Sequence, residues 1–213
     1  AAASWLVACG QATQGPQQFE QAQKPVTPKG TLVGRVLDTS TQAPIEGVTV
    51  KVLGSDQTLS SNADGVFTLN DAVAASTYTF ILERGGYLRT LATRTVPSAA
   101  GNSPLAGGIN TFVVELYPAT GNVTGVLTLP NGRPAANATV YVDQRQSVSA
   151  ESLVSTQTGM DGAFTLAGLA AAGRGVSHTV YAQWFDENGD MQADYSTFGT
   201  SVTVYPGQGA RVF

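Results

Sequence analysis

Residues 48–52, Val-Thr-Val-Lys-Val, alternate strictly between apolar and polar side chains. A period of two puts Val48, Val50 and Val52 on one face of an extended strand, as a half-buried sheet requires. The same alternation returns in Ala138-Thr139-Val140-Tyr141-Val142. Two further apolar runs, Tyr78–Leu82 and Thr179–Phe185, are rich in aromatic and β-branched residues and also read as strands. Between them stand turn dipeptides, Asp64-Gly65, Asn131-Gly132 and Asp161-Gly162, whose residues reach left-handed backbone angles cheaply. Helical periodicity is nearly absent; only Ser149–Val154 and Leu166–Ala172 offer a brief helix. The pattern predicts an all-β chain.

Laid against itself, the chain shows two related halves. Gly34 aligns with Gly125, Pro44 with Pro134, and Asp64-Gly65-Val66-Phe67-Thr68-Leu69 with Asp161-Gly162-Ala163-Phe164-Thr165-Leu166. The offset of about 90 residues suits a small sandwich domain and is too long for a solenoid repeat. The first half carries Gly34-Arg35-Val36-Leu37-Asp38, then Pro44-Ile45-Glu46-Gly47-Val48-Thr49-Val50, then the Asp64–Leu69 element and Gly86-Tyr87. This succession resembles the carboxypeptidase regulatory-like domain, a transthyretin-like β-sandwich of about seven strands. The second half keeps the first three elements more loosely, with Asn137 at the place of Gly47, and has no clear Gly-Tyr pair. The resemblance implies two tandem Ig-like or transthyretin-like antiparallel β-sandwiches, over 30–118 and 119–213. For function it implies an add-on, spacer or binding module of a secreted or surface protein, and no more.

Composition narrows the classes. Hydrophobic residues make up 42% and charged residues 12% of the chain, so a core can form while the surface is dressed in Thr, Ser, Gln and Asn. Net charge is −4 with only three lysines, which removes the electrostatic footprint of a nucleic-acid binder. One cysteine and one histidine cannot assemble a multi-ligand zinc or copper site. His178 reads as a polar residue at the start of a strand. No serine elbow, phosphate loop or zinc-hydrolase motif occurs, and the expectation is a protein that is not an enzyme.

The N-terminus adds a location. Leu6-Val7-Ala8-Cys9 resembles the bacterial lipobox, with residues 1–8 as the end of a signal peptide and Cys9 as the lipidated residue. The competing reading is an apolar strand with a free thiol. Residues 9–29, rich in Gln and Pro, form a flexible tether. No apolar stretch reaches the ~20 residues of a membrane-spanning helix, so the membrane, most simply an outer membrane, is reached by the lipid.

Two candidate binding features lie in the second half. Asp186, Asn188 and Asp190 have the alternating spacing of a calcium loop, and Asp194 could add a fourth oxygen. The rival reading is a bare hairpin turn at Asn188-Gly189, with a return strand near 195–198. Tyr181, Phe185 and Tyr195 surround that acidic stretch and are candidates for a recognition surface, although aromatics in a sandwich also serve as core or interface. Calcium is the one cofactor these residues suggest. The leading expectation is a lipid-anchored cell-envelope protein with a structural or adhesive role, binding another envelope protein or a surface polysaccharide. The alternative is a soluble calcium- or carbohydrate-binding accessory module.

Overall fold

The computed structural model describes residues 28–97, 108–146, 153–183 and 199–212. The described residues form fourteen strands and a single 3₁₀ turn. The first unit holds β1 (Lys29–Asp38), β2 (Thr49–Val52), β3 (Thr58–Ser60), β4 (Val66–Val73), β5 (Thr77–Glu83), β6 (Thr90–Thr95) and β7 (Ile109–Leu116). They build a three-stranded sheet in the order β4-β1-β7 facing a four-stranded sheet in the order β3-β2-β5-β6.

The second unit holds β8 (Gly121–Val126), β9 (Thr139–Asp143), β10 (Leu153–Gln157), β11 (Ala163–Leu169), β12 (Val176–Ala182), β13 (Thr200–Val204) and β14 (Gly209–Val212). Its sheets run β11-β8-β14 and β10-β9-β12-β13, the same order seven strands later. The architecture is all-β, in two sandwich-like units.

One pairing departs from the antiparallel expectation. The last strand of each unit lies parallel to the first: β7 beside β1, and β14 beside β8. Strand direction reverses at each connection, so six reversals bring the seventh strand back to the direction of the first. The brief helix suggested at Leu166–Ala172 does not form, and the one suggested at Ser149–Val154 lies within the described residues only at Leu153 and Val154. Leu166–Leu169 finish β11, Ala170–Ala172 are buried in the loop after it, and Leu153–Val154 open β10. Tertiary burial of the small Ala side chains overrides their helix propensity. The strand expected over Thr179–Phe185 begins earlier, at Val176, and its described part ends at Ala182.

Alternation decides each core. Leu32, Val36, Phe67, Leu69, Val50, Val52, Phe80 and Leu82 point between the sheets of the first unit and are buried. Phe67, Phe80 and Phe112 meet at its centre with ring centroids 5.6–5.7 Å apart. Phe67 and Phe80, both fully buried, each contribute roughly 1.5–3 kcal/mol by burial alone, and the half-buried Phe112 less. Gly34 makes room for this cluster, since a Cβ there would overlap the Phe67 ring. Gly125 stands in the same relation to Phe164, where a Cβ would lie 2.6 Å from the ring.

A buried hydroxyl ties each sandwich at a second point. Ser61 accepts from the Val48 N–H at 2.9 Å and donates to the Ile45 carbonyl at 2.7 Å. Thr158 does the same between the Ala138 N–H and the Ala135 carbonyl. Asn137, the residue at the place of Gly47, has φ of 59° against 68° for the glycine. Asn tolerates this left-handed region better than other side-chain-bearing residues, so the turn survives the exchange.

Candidate functional site

Of the residues singled out in the sequence, Cys9, Phe185, Asp186, Asn188, Asp190, Asp194 and Tyr195 lie outside the described residues. Tyr181 lies within them. It sits in β12, a strand kept in the sheet by Val180, which is buried on the opposite face. In the pairing of β9 with β12, Tyr181 stands directly opposite Tyr141. The two rings stack with centroids 5.4 Å apart and planes 21° from parallel. Both are half-buried, and Ser155 on β10 continues the same row across the sheet. Gly199 leaves space on the other flank: a Cβ there would fall 2.6 Å from the Tyr181 ring.

Polar groups surround this pair. Thr139 and Asp143 flank Tyr141 on its strand, and Thr179 precedes Tyr181 on its own. Arg145 grips the Asp143 carboxylate with Nε at 2.9 Å and a terminal nitrogen at 2.7 Å. That hydrogen bond holds the Asp143 carboxyl below the usual range, so the pair is a fixed ionic one beside the rings. The matching positions of the first unit are Lys51 and Ile81, paired with each other on β2 and β5. The aromatic face is therefore a property of the second unit.

His178 does not behave as a polar residue at a strand start. It is the third residue of β12 and is fully buried. Its Nε2 lies 2.9 Å from the Ala170 carbonyl, and because a carbonyl only accepts, Nε2 carries the proton. From the other side, Gln144 Oε1 accepts the Ala170 N–H at 2.6 Å. The two side chains hold Ala170 in place. Burial pushes the His178 pKa down, and the Ala170 bond offsets this only in part. Its Nδ1 is buried with no hydrogen-bond partner. His178 is a buried histidine that braces the Ala170 backbone. Among the described residues no group of three or more His, Cys, Asp or Glu could hold a metal.

The other tightly held acid is Asp38 in the first unit. Burial raises its pKa, but the Thr41 N–H, the Tyr87 hydroxyl and the Ser40 N–H outweigh that and lower it overall. Its partners are all internal. What the described residues offer chemically is a flat, half-buried aromatic pair flanked by hydroxyl groups and an ion pair. Such a surface can adsorb a ligand that has one apolar face and a polar edge. Sequence reading missed Tyr141, which was visible only as one letter of an alternating strand.

Residues 31–105 match the carboxypeptidase regulatory-like domain. The matched stretch runs from β1 through β6 of the first unit and contains both Asp38 and Tyr87. No curated protein matches the chain. Among solved structures, the Bacillus anthracis TIE protein is similar at 12% identity with a TM-score of 0.37, over 87% of this chain and 33% of that one. The chain thus spans about a third of that protein's length. A type II cohesin–X-dockerin complex from Acetivibrio cellulolyticus is similar at 21% identity with a TM-score of 0.31, over 50% of this chain and 65% of that one. The shaft pilin SpaA from Lactobacillus rhamnosus GG is similar at 14% identity with a TM-score of 0.30, over 87% and 96%. Likeness at this level carries nothing about ligands. No helix among the described residues is long and apolar enough to cross a membrane.

Proposed function

We propose that this chain is a non-catalytic adhesive module of a bacterial cell envelope. In this reading it is two tandem carboxypeptidase regulatory-like sandwiches, 30–118 and 119–213, carried on a tether of residues 9–29 from lipid on Cys9 in the outer membrane. The second sandwich contacts a surface polysaccharide through the outward face bearing Tyr141 and Tyr181. The observation that supports the contact is the stacked tyrosine pair on a sheet face whose neighbours are hydroxyls and a neutralised ion pair. Sugar rings present an apolar C–H face and a polar rim, and an aromatic face with hydroxyl neighbours complements both.

The duplication is supported by the shared strand order, the paired Gly34–Phe67 and Gly125–Phe164 packing, and the Ser61 and Thr158 hydroxyl ties. A boundary between Pro118 and Ala119 falls in the connector between β7 and β8.

A glycan array probed with the intact chain and with the Tyr141→Ala/Tyr181→Ala variant tests the contact. The expected result is a set of polysaccharide signals that the double variant loses while its melting temperature stays close to the parent's. An empty array, together with an envelope protein retained by the intact chain and not by the variant, would transfer the contact from polysaccharide to protein.

A further inference from the structure

The two units meet in a fixed junction. The loop after β11 leans on the first unit: the Ala171 N–H donates to the Pro118 carbonyl at 3.1 Å, and the Ser40 hydroxyl donates to the Ala171 carbonyl at 3.4 Å. Behind this clamp Leu88, Ala170, Ala172 and Val176 form an apolar cluster with Tyr117 and Ala119 packed against it. The Gln144 and His178 bonds to Ala170 brace the start of the same loop from inside the second unit. Both sides of the junction are thereby held by hydrogen bonds to the loop backbone and by burial, so the space beside it has preformed walls.

That space is a cleft of about 1040 Å³ between the units. Ser40, Gln42 and Glu115 line it from the first unit, and Arg174, Ser177 and Thr179 from the second. Its size lies at the upper end of the roughly 300–1,000 Å³ of ligand pockets. One acid and one base leave it without net charge, and the rest of these six are hydroxyls and an amide. Hydroxyls both donate and accept, as do the hydroxyls of a sugar.

Ser177, Thr179 and Tyr181 are successive outward positions of one strand, β12. At about 3.3–3.4 Å per residue, Ser177 lies roughly 13 Å along the strand from Tyr181. A hydroxyl track leads from the tyrosine pair straight into the cleft. Its cross-strand neighbours on β13, Thr203 opposite Ser177 and Ser201 opposite Thr179, are hydroxyl residues as well.

From this geometry we infer that the cleft is a second subsite for a neutral polysaccharide chain whose first sugar stacks on Tyr141 and Tyr181. The inference rests on the polysaccharide reading of the tyrosine face and extends it: the complete site belongs to both units, and it reads chain length. A disaccharide covers the tyrosines alone. A longer chain follows β12 and places its next sugars among Ser177, Thr179 and Gln42.

Calorimetric titration of the full chain tests this. The probes are neutral di- to hexasaccharides of β-1,4-glucose, α-1,4-glucose, mannose and N-acetylglucosamine. Affinity is expected to rise at least tenfold from the shortest to the longest member of the series that binds. Gln42→Ala/Ser177→Ala should remove that rise and leave disaccharide binding within twofold. Glu115→Gln, a milder change beside Gln42, whose amide donates to Glu115 Oε1 at 3.2 Å, should reduce the rise without abolishing it. Tyr141→Ala/Tyr181→Ala should weaken every length. Affinity independent of length, or a rise untouched by the cleft variants, would overturn the second subsite while leaving the tyrosine contact intact. No binding at any length would overturn both.

Discussion

The Tyr87 hydroxyl donates to Asp38 Oδ2 at 2.9 Å, although the two residues are 49 positions apart. Oδ1 of the same carboxylate accepts the N–H groups of Ser40 at 2.7 Å and Thr41 at 2.8 Å. The aspartate that ends the first motif element and the tyrosine of the Gly-Tyr pair are thus partners. In the second unit Leu129 follows Thr128, the bridge partner of Pro134, just as Asp38 follows Leu37, the bridge partner of Pro44. Leu129 is buried against Ala135 and Ala138. The second unit thus has an apolar side chain at the place of the acid, in a half without the Gly-Tyr pair, and this position needs no donor for a buried carboxylate.

Tyr87→Phe should destabilise the first unit by about 1.5–3 kcal/mol, the range for a hydrogen bond to a charged group. The folded-state pKa of Asp38 is lowered, so its stabilisation is fully present above the unfolded value near 4. It is lost as pH falls from there through the folded pKa. Chemical denaturation of parent and variant at pH 7 and at about pH 2 should therefore show a gap that narrows in acid; a constant gap would contradict the role given to the carboxylate.

Gly34→Ala and Gly125→Ala each drive a methyl group into a phenylalanine ring that is part of a packed core. Overpacking of this kind costs about 1–3 kcal/mol. Gly34→Ala combined with Phe67→Leu should cost less than the sum of the two single changes. A double-mutant cycle with additive energies would show that the glycine is not reporting on the ring.

His178 gives the second unit an acid sensitivity of opposite origin. Its folded pKa lies below the unfolded value of about 6.5, so the folded state binds fewer protons between the two. Stability is complete above pH 6.5 and declines as pH falls through the folded pKa, because Nδ1–H would be a buried donor without an acceptor. The melting temperature should drop between pH 7 and pH 5. In His178→Phe that slope should be missing, whatever its absolute stability; an unchanged slope would assign the sensitivity elsewhere.

Calcium is proposed at Asp186, Asn188, Asp190 and Asp194. A site of this kind raises stability as free calcium exceeds its dissociation constant, by about 2.7 kcal/mol at a hundredfold excess. Thermal melts with about 10 mM calcium and with chelator should differ in the parent and coincide in Asp186→Asn/Asp190→Asn. Coincident melts in the parent would leave the stretch as a plain turn.

Lipidation of Cys9 predicts a mature chain that begins at that cysteine and is heavier by its acyl groups. Intact-mass measurement on protein extracted from native membranes reads this directly, and Cys9→Ser should release the protein into the soluble fraction. A native N-terminus with a free thiol would refute the anchor.

Much of the fold was legible in the sequence because its signals are local. Alternation over Val48–Val52 fixed which residues face inward, and Asn at position 137 was readable as a stand-in for glycine at 47. The face that carries the candidate site was only half legible. Tyr181 was identifiable from its strand, but its partner Tyr141 depends on the register between β9 and β12, which no local pattern encodes. The burial of His178 was hidden for a related reason: alternation defines two faces, and Tyr181 rather than His178 turned out to occupy the outward one. The inter-unit cleft was invisible, since Ser40 and Ala171 are brought together only when both sandwiches have formed.

The parallel pairing of the first and last strands has a mechanical consequence. Eight residues of β1, Thr31 to Asp38, lie beside eight of β7, Ile109 to Leu116, and the chain enters and leaves the first unit at opposite ends of this ribbon. Tension between a tether before β1 and a grip held beyond β7 slides the two strands past one another lengthwise. Every rung must then yield at once, instead of unzipping one by one. Among the described residues the corresponding ribbon of the second unit has four rungs, Gly209 to Val212 against Asn122 to Gly125. Among the described rungs the first sandwich is the stronger link under such a pull, and it is the one that stands between the proposed tether and the second unit.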